Sequence, residues 1–189
     1  MSLLLIPVIA LTASLIVLGV CAGMDLKDRL IPNELVIAVA VIGFAQGLVS
    51  RTGTVWLSLL AAVLVFFGLG ILSHYKIIGG GDLKLISAVT LLVPPDRVGQ
   101  LLLEIALAGG LLGLFYLAAH RWLKSLPASQ SAPVEIASST SPLAQMIRTE
   151  RVRIVAGDSL PYALAVLGGV ASYIAIEFYQ CFSTTSCSL

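Results

Sequence analysis

Asp25 and Asp82 stand in two short polar breaks between long apolar runs. The breaks read Met24-Asp25-Leu26-Lys27-Asp28-Arg29-Leu30-Ile31-Pro32-Asn33 and Ile78-Gly79-Gly80-Gly81-Asp82-Leu83-Lys84. Two carboxylates that share a site resist double ionisation, so one holds a proton while the other takes a proton from water. That is the minimal equipment of an aspartic peptidase. Each break also has a structural reading. Asp25, Lys27, Asp28 and Arg29 could form a solvated loop that fixes orientation, and Asp82 could serve as the N-cap of a following helix. Three glycines before Asp82 remove local backbone preference and leave it free to move or to take unusual dihedrals. They do not form a phosphate loop, because no GxxxxGK[ST] pattern is present. Pro32 suits the first turn of a helix, with Asn33 and Glu34 near its positive end.

The elements that must position these side chains are membrane spans. Of 189 residues, 58% are hydrophobic and only 11% charged, and the mean hydropathy is +1.02; soluble domains carry about 25% charged residues. A helix needs roughly 20 apolar residues to cross a bilayer. Stretches 3–24, 35–50, 55–73, 98–119 and 160–179 supply five such runs, and 82–93 supplies a half-length sixth that ends at Pro94-Pro95. Blocks of Leu, Val and Ala without period-two alternation argue against a β-barrel. The expected fold is therefore all-α, a polytopic six-helix membrane bundle. Gly19/Gly23, Gly43/Gly47 and Gly109/Gly113 are spaced for close helix approach.

Lys and Arg set the orientation. Nine of the 11 basic residues fall in the first, third and fifth breaks, among them Lys27, Arg29, Lys76, Lys84, Arg121 and Lys124. By the positive-inside rule those breaks are cytoplasmic and both termini lie outside. Asp25 and Asp82 then share the cytoplasmic side. A cleaved signal peptide is disfavoured at the N-terminus, since the run is long and lacks a basic start.

Residues 1–189 read as a single integral-membrane domain, with a Ser/Ala/Pro-rich flexible cytoplasmic linker at about 125–142. The stretch 143–155, with Arg148, Arg151 and Arg153, reads either as a short helix on an anionic leaflet or as a topogenic arginine cluster. Cys181 and Cys187 fall in an external tail where oxidation is permitted; a bridge between them and two separate thiols are equally open. Cys21 reads as a small packing residue. Glu104 and Glu177 lie near outer span ends, where snorkelling to water is easy, and they give a carrier or assembly scaffold its only footing. His74 and His120 sit at span ends and read as interfacial. No His/Cys/Glu cluster offers a metal site, and neither a cofactor nor a nucleic acid partner is expected.

Taken together, Asp25-x-x-x-Arg29-x-Ile31-Pro32-Asn33 and Gly79-x-Gly81-Asp82-x-Lys84 resemble the two signatures of the type IV prepilin leader peptidases, the GxGD aspartic peptidases. The chain is most similar to their short form, which serves Flp/Tad pili. Pro161-Tyr162 at the start of the last span also resembles that group's final helix. The resemblance implies Asp25 and Asp82 as the catalytic pair, with Arg29, Pro32, Asn33, Gly79, Gly80, Gly81 and Lys84 as supporting motif residues. It implies cleavage of a short basic leader from prepilins or pseudopilins at the cytoplasmic face of a bacterial inner membrane. Asp28 does not match the signature. The tetracysteine region of the long bifunctional enzymes is missing, so N-methyltransferase activity is not expected. The alternative within the same chemistry is a presenilin-type intramembrane protease, whose first aspartate lies in mid-span.

Overall fold

The computed structural model describes residues 2–50, 53–75, 79–125 and 160–183, and among them all regular structure is helical. Six α-helices follow in order: α1 (Ser2–Asp28), α2 (Asn33–Ser50), α3 (Val55–His74), α4 (Gly80–Val89), α5 (Val98–Ser125) and α6 (Tyr162–Ser183). Two single 3-10 turns, Thr90–Leu92 and Pro95–Arg97, join α4 to α5. Five of the helices, all but α4, are long and apolar enough to cross a membrane. The linker at 125–142 and the arginine-bearing stretch 143–155 lie outside the described residues, apart from Ser125 at the end of α5.

Hydrophobicity is arranged from both sides. Trp56, Phe67, Leu111, Phe115 and Trp122 point outward and are largely exposed, as expected of helices solvated by lipid. Inside, Leu18 and Cys21 of α1, Val39 of α2, Leu85 and Val89 of α4, Leu101 of α5 and Val166 of α6 are fully buried. The short helix α4 is the hub. It packs on α2, α3 and α6, while α1 packs on α2 and α6, and α5 on α6. From Leu85 to Val93 every residue is buried. Its ten residues rise only about 15 Å, so α4 is a core helix rather than a lipid-facing one.

Apolar attraction between helices is weak in lipid, and close packing must replace it. Gly43 of α2 lies against the turn after α4: a methyl group there would stand 2.8 Å from the Leu91 carbonyl carbon. Gly169 of α6 is pressed still harder onto α5, 2.5 Å from the Ile105 Cα by the same measure. The expected glycine contacts hold for Gly43/Gly47 and Gly109/Gly113. They fail for Gly19/Gly23, which face open space; four-residue spacing marks a helix face but does not say what that face meets.

At the end of the bundle where α5 begins, Arg97 Nη1 donates to Glu177 Oε1 at 2.6 Å. Nearly two turns into α5, Glu104 Oε2 accepts from Ser172 Oγ at 3.2 Å. The snorkelling expected of these acids is therefore replaced by partners on the neighbouring helix. A salt bridge engages Glu177, and Glu104 shares the single Ser172 hydroxyl proton with the Gly168 and Gly169 carbonyls.

Candidate active site

The polar breaks of the sequence meet at the opposite end of the bundle. Helix α1 continues past its apolar run to Asp28, so Asp25 is helix-borne rather than part of a loop, and it is only 6% exposed. Asp28, one turn further on, faces solvent. Arg29 then ends the helix in the left-handed region, with φ 55°, and its N–H returns to the Asp25 carbonyl at 3.1 Å. This is the helix-stopping conformation usually given to glycine, and for a residue with a Cβ it costs roughly 1–2 kcal/mol. The reversal lets Ile31 and Pro32 fold back toward the bundle. The Pro32 carbonyl accepts the N–H groups of Leu35 and Val36, so proline stands immediately before α2 rather than in its first turn.

The second break begins α4 differently from the sequence expectation. Gly79, with extended backbone (φ −68°, ψ 146°), is the N-cap, and Asp82 occupies the first turn three residues on. The Gly79 N–H donates back to the Asp82 carboxylate, which is one half of a capping box, while the Leu83 N–H donates to the Gly79 carbonyl. Gly79, Gly80 and Gly81 take none of the left-handed conformations that only glycine adopts easily. The need for glycine is steric at Gly79, where a methyl group would stand 2.8 Å from Asp82 Oδ2. At Gly81 the space would admit one, 3.7 Å from the Ile31 side chain.

Three links join the breaks. Ile31 packs beside Gly81. Lys84 Nζ donates to Asn33 Oδ1 at 3.1 Å, so the cation expected beside Asp82 is tied to the other motif. Asp25 and Asp82 lie within electrostatic reach of each other. Asp82 stands outside the five long spans, and its pKa is pushed up to about 6. Burial is the main cause and the Asp25 charge the second, against the lowering by the Gly79 N–H.

A third element completes the site. The Ala163 N–H, in the first turn of α6, donates to Asp25 Oδ2 at 3.0 Å. Pro161 is fully buried just before it. Proline carries no N–H and suits the start of a helix, so the first free donors of α6 are aimed past it at Asp25. Both the hydrogen bond and the positive end of the helix favour negative charge there. The Tyr162 ring lies over Gly109 of α5, 3.5 Å from where a methyl group would stand, and within electrostatic reach of Asp82. No side-chain pattern announces a backbone N–H from 138 residues away; the proline at the helix start was the one available signal.

Two carboxylates, one fixed by a helix N-terminus and the other biased toward its protonated form, at the mouth of a membrane bundle, have a counterpart in one family comparison. The model of the type IV leader peptidase family matches residues 12–118. The chain belongs to the type IV leader peptidase family. The matched residues include both aspartate-bearing breaks and end inside α5, before α6. Membership makes this a membrane peptidase by family, with a prepilin-like substrate implied. No curated protein and no solved structure matches the chain. Cys187 lies outside the described residues, whereas Cys21 is a buried free thiol packed in the core.

Proposed function

We propose that this chain is an aspartic endopeptidase of the short Flp/Tad type that removes the basic leader from prepilins or pseudopilins. Asp25 and Asp82 form its catalytic dyad. The observation that carries the reading is the asymmetry between them: a helix N–H holds the Asp25 carboxylate, and burial beside that charge raises the Asp82 pKa to about 6.

Asp25, ionised, takes a proton from a water, and the resulting hydroxide oxygen bonds to the scissile carbonyl carbon. Asp82 gives its proton to the carbonyl oxygen, and a tetrahedral diol results. On collapse the C–N bond breaks, the amine nitrogen gains the proton held by Asp25, and a diol hydroxyl returns its proton to Asp82. Both carboxyl groups end as they began. Arg29, Pro32, Asn33, Gly79, Gly80, Gly81 and Lys84 support the dyad by shaping the two breaks and tying them together.

In the same proposal, α4 beyond Asp82 with the 3-10 turns that follow completes a sixth crossing, Asp82 stands at its cytoplasmic boundary, both termini lie outside, and the dyad faces the cytoplasm of a bacterium from its inner membrane. The chain is one domain, and the 125–142 linker is cytoplasmic. Asp25 lies in the last turn of α1, which suits cleavage at a membrane boundary better than cleavage within a substrate's span.

Co-expression with a single-span prepilin, read as a mobility shift, tests the proposal. Wild type is expected to release the leader. Asp25→Asn and Asp82→Asn should each lower cleavage by about 10³-fold or more, in line with loss of an essential general acid or base, while both proteins stay inserted. Asp28→Asn should retain most activity. Substantial cleavage by either dyad variant would sink the assignment.

A further inference from the structure

A groove of about 580 Å³ opens on the lipid-facing side of the bundle between α2 and α3, with α4 as its floor. Its head is polar and belongs to the site: Asn33 and Lys84, hydrogen-bonded to each other, line it there. Lys84, Ser87, Ala88 and Leu91 line the floor at helical spacing. The groove therefore starts in the same turn of α4 as Asp82 and runs away from it along the bundle.

We propose that this groove seats the apolar helix of the substrate that continues beyond the cleaved bond. The inference rests on the peptidase reading above and adds where the uncleaved part of the substrate lies. Three features select a helix over a lipid chain. The groove includes Asn33 and Lys84, the hydrogen-bonded pair that ties the two aspartate-bearing breaks together. Each of its three sides offers an alanine, Ala40, Ala62 and Ala88, and small residues are what let one membrane helix approach another closely. Its polar end is Asn33 and Lys84, the latter two residues after Asp82 in α4, on the side toward which the substrate's polar, scissile segment must lie.

The second groove, between α5 and α6, has the wrong polarity. Its acid, Glu104, lies toward the far end of the bundle and is engaged with Ser172.

The test uses full-length protein in phosphatidylethanolamine/phosphatidylglycerol vesicles with a single-span prepilin carrying a basic leader and an apolar stem. Benzoylphenylalanine is placed at Val63, on the α3 wall of the groove, or at Leu107 in the other groove, each in an Asp82→Asn background. The substrate adduct at Val63 is expected to exceed that at Leu107 by at least about tenfold. Equal adducts, a preference for Leu107, or lipid adducts alone at Val63 would overturn the proposal.

In otherwise wild-type protein, Ala40→Phe fills the groove and is expected to raise KM for this substrate about tenfold with kcat within about twofold; an unchanged KM would contradict the assignment. Wild-type cleavage is measured in the same vesicles. Failure of wild type to cleave overturns the peptidase reading together with the groove's occupant. Cleavage without adduct at Val63 overturns the groove alone.

Discussion

The two ends of the bundle treat buried acids in opposite ways. Where α5 begins, Glu177 has a guanidinium at 2.6 Å and Glu104 a hydroxyl at 3.2 Å, each supplied by a neighbouring element. At the other end Asp25 and Asp82 are brought within reach of each other's charge, and backbone N–H groups hold each of them. The first arrangement removes the cost of a carboxylate in an apolar setting and leaves little reactivity. The second keeps that cost and converts it into a proton held near neutral pH. A carboxylate in a membrane bundle is thus not informative until its partners are known. Glu104 and Glu177, the acids on which a carrier reading would stand, each have a partner on a neighbouring element.

The sharpest way to break the comparison is to exchange phenotypes between the ends. Asp82→Asn is expected to lose about 10³-fold in cleavage with no loss of thermal stability, because it removes a desolvated acid. Glu177→Gln should do the reverse. Arg97 loses the nearer of its two carboxylate partners and keeps Asp96 at 3.6 Å, and because about a third of its side chain is exposed the loss should be about 1–2 kcal/mol rather than the larger penalty of a fully buried pair. That corresponds to a fall of roughly 2–8 °C in Tm for a chain of this size, with kcat in the surviving protein within about twofold of wild type. Detergent-solubilised melting and reconstituted cleavage, measured on both variants, read the two effects side by side. A Glu177→Gln protein that melts normally but fails to cleave would place chemistry at the wrong end.

Intermediate in size is Gly79→Ala. Its new methyl group meets Asp82 Oδ2, so kcat should fall about tenfold, equivalent to 1.4 kcal/mol of misplacement. Gly68→Ala in α3, where a methyl group meets nothing within 4 Å, is the control and should cleave nearly as wild type.

Smallest is the strain at Arg29. Arg29→Val places a β-branched residue at φ 55° and should lower Tm by roughly 2–4 °C, for about 1 kcal/mol. Arg29→Gly should melt above Arg29→Val, because both remove the side chain and only glycine accepts that backbone without strain. Equal melting of the two would mean the left-handed turn is not what the position requires.

Much of the scaffold was legible because long apolar runs leave few alternatives: 55–73 became α3, and 82–93 became the short α4 with its closing turn. Of the two aspartates weighed in the first break, Asp25 is buried in α1 and Asp28 exposed. What the sequence did not disclose depends on contacts between distant segments. The Ala163 N–H on Asp25 is a main-chain donor that almost any residue could supply. The Arg97–Glu177 pair spans 80 residues, and a charge near a span end looks the same whether it snorkels or finds a partner. The three glycines before Asp82 suggested mobility or unusual dihedrals, yet ordinary dihedrals and a close approach at Gly79 explain what is seen. Composition reports freedom of the backbone; only packing reports which part of that freedom is used.

The account rests on Asp25 and Asp82 acting as one electrostatic unit, and the titration of the Asp82 carboxyl tests this most directly. A raised carboxyl pKa means that protonated Asp82 prevails below about 6 in the wild type and is lost as pH rises through that value. Infrared spectroscopy with labelled aspartate, assigned by difference against Asp82→Asn, can follow the carboxyl band across that range. In Asp25→Asn the neighbouring negative charge is gone, so the Asp82 midpoint should move down from about 6 toward the ordinary aspartate value of about 3.9, stopping short of it because burial remains. An Asp82 midpoint that stays in place when Asp25 is neutralised would contradict the dyad.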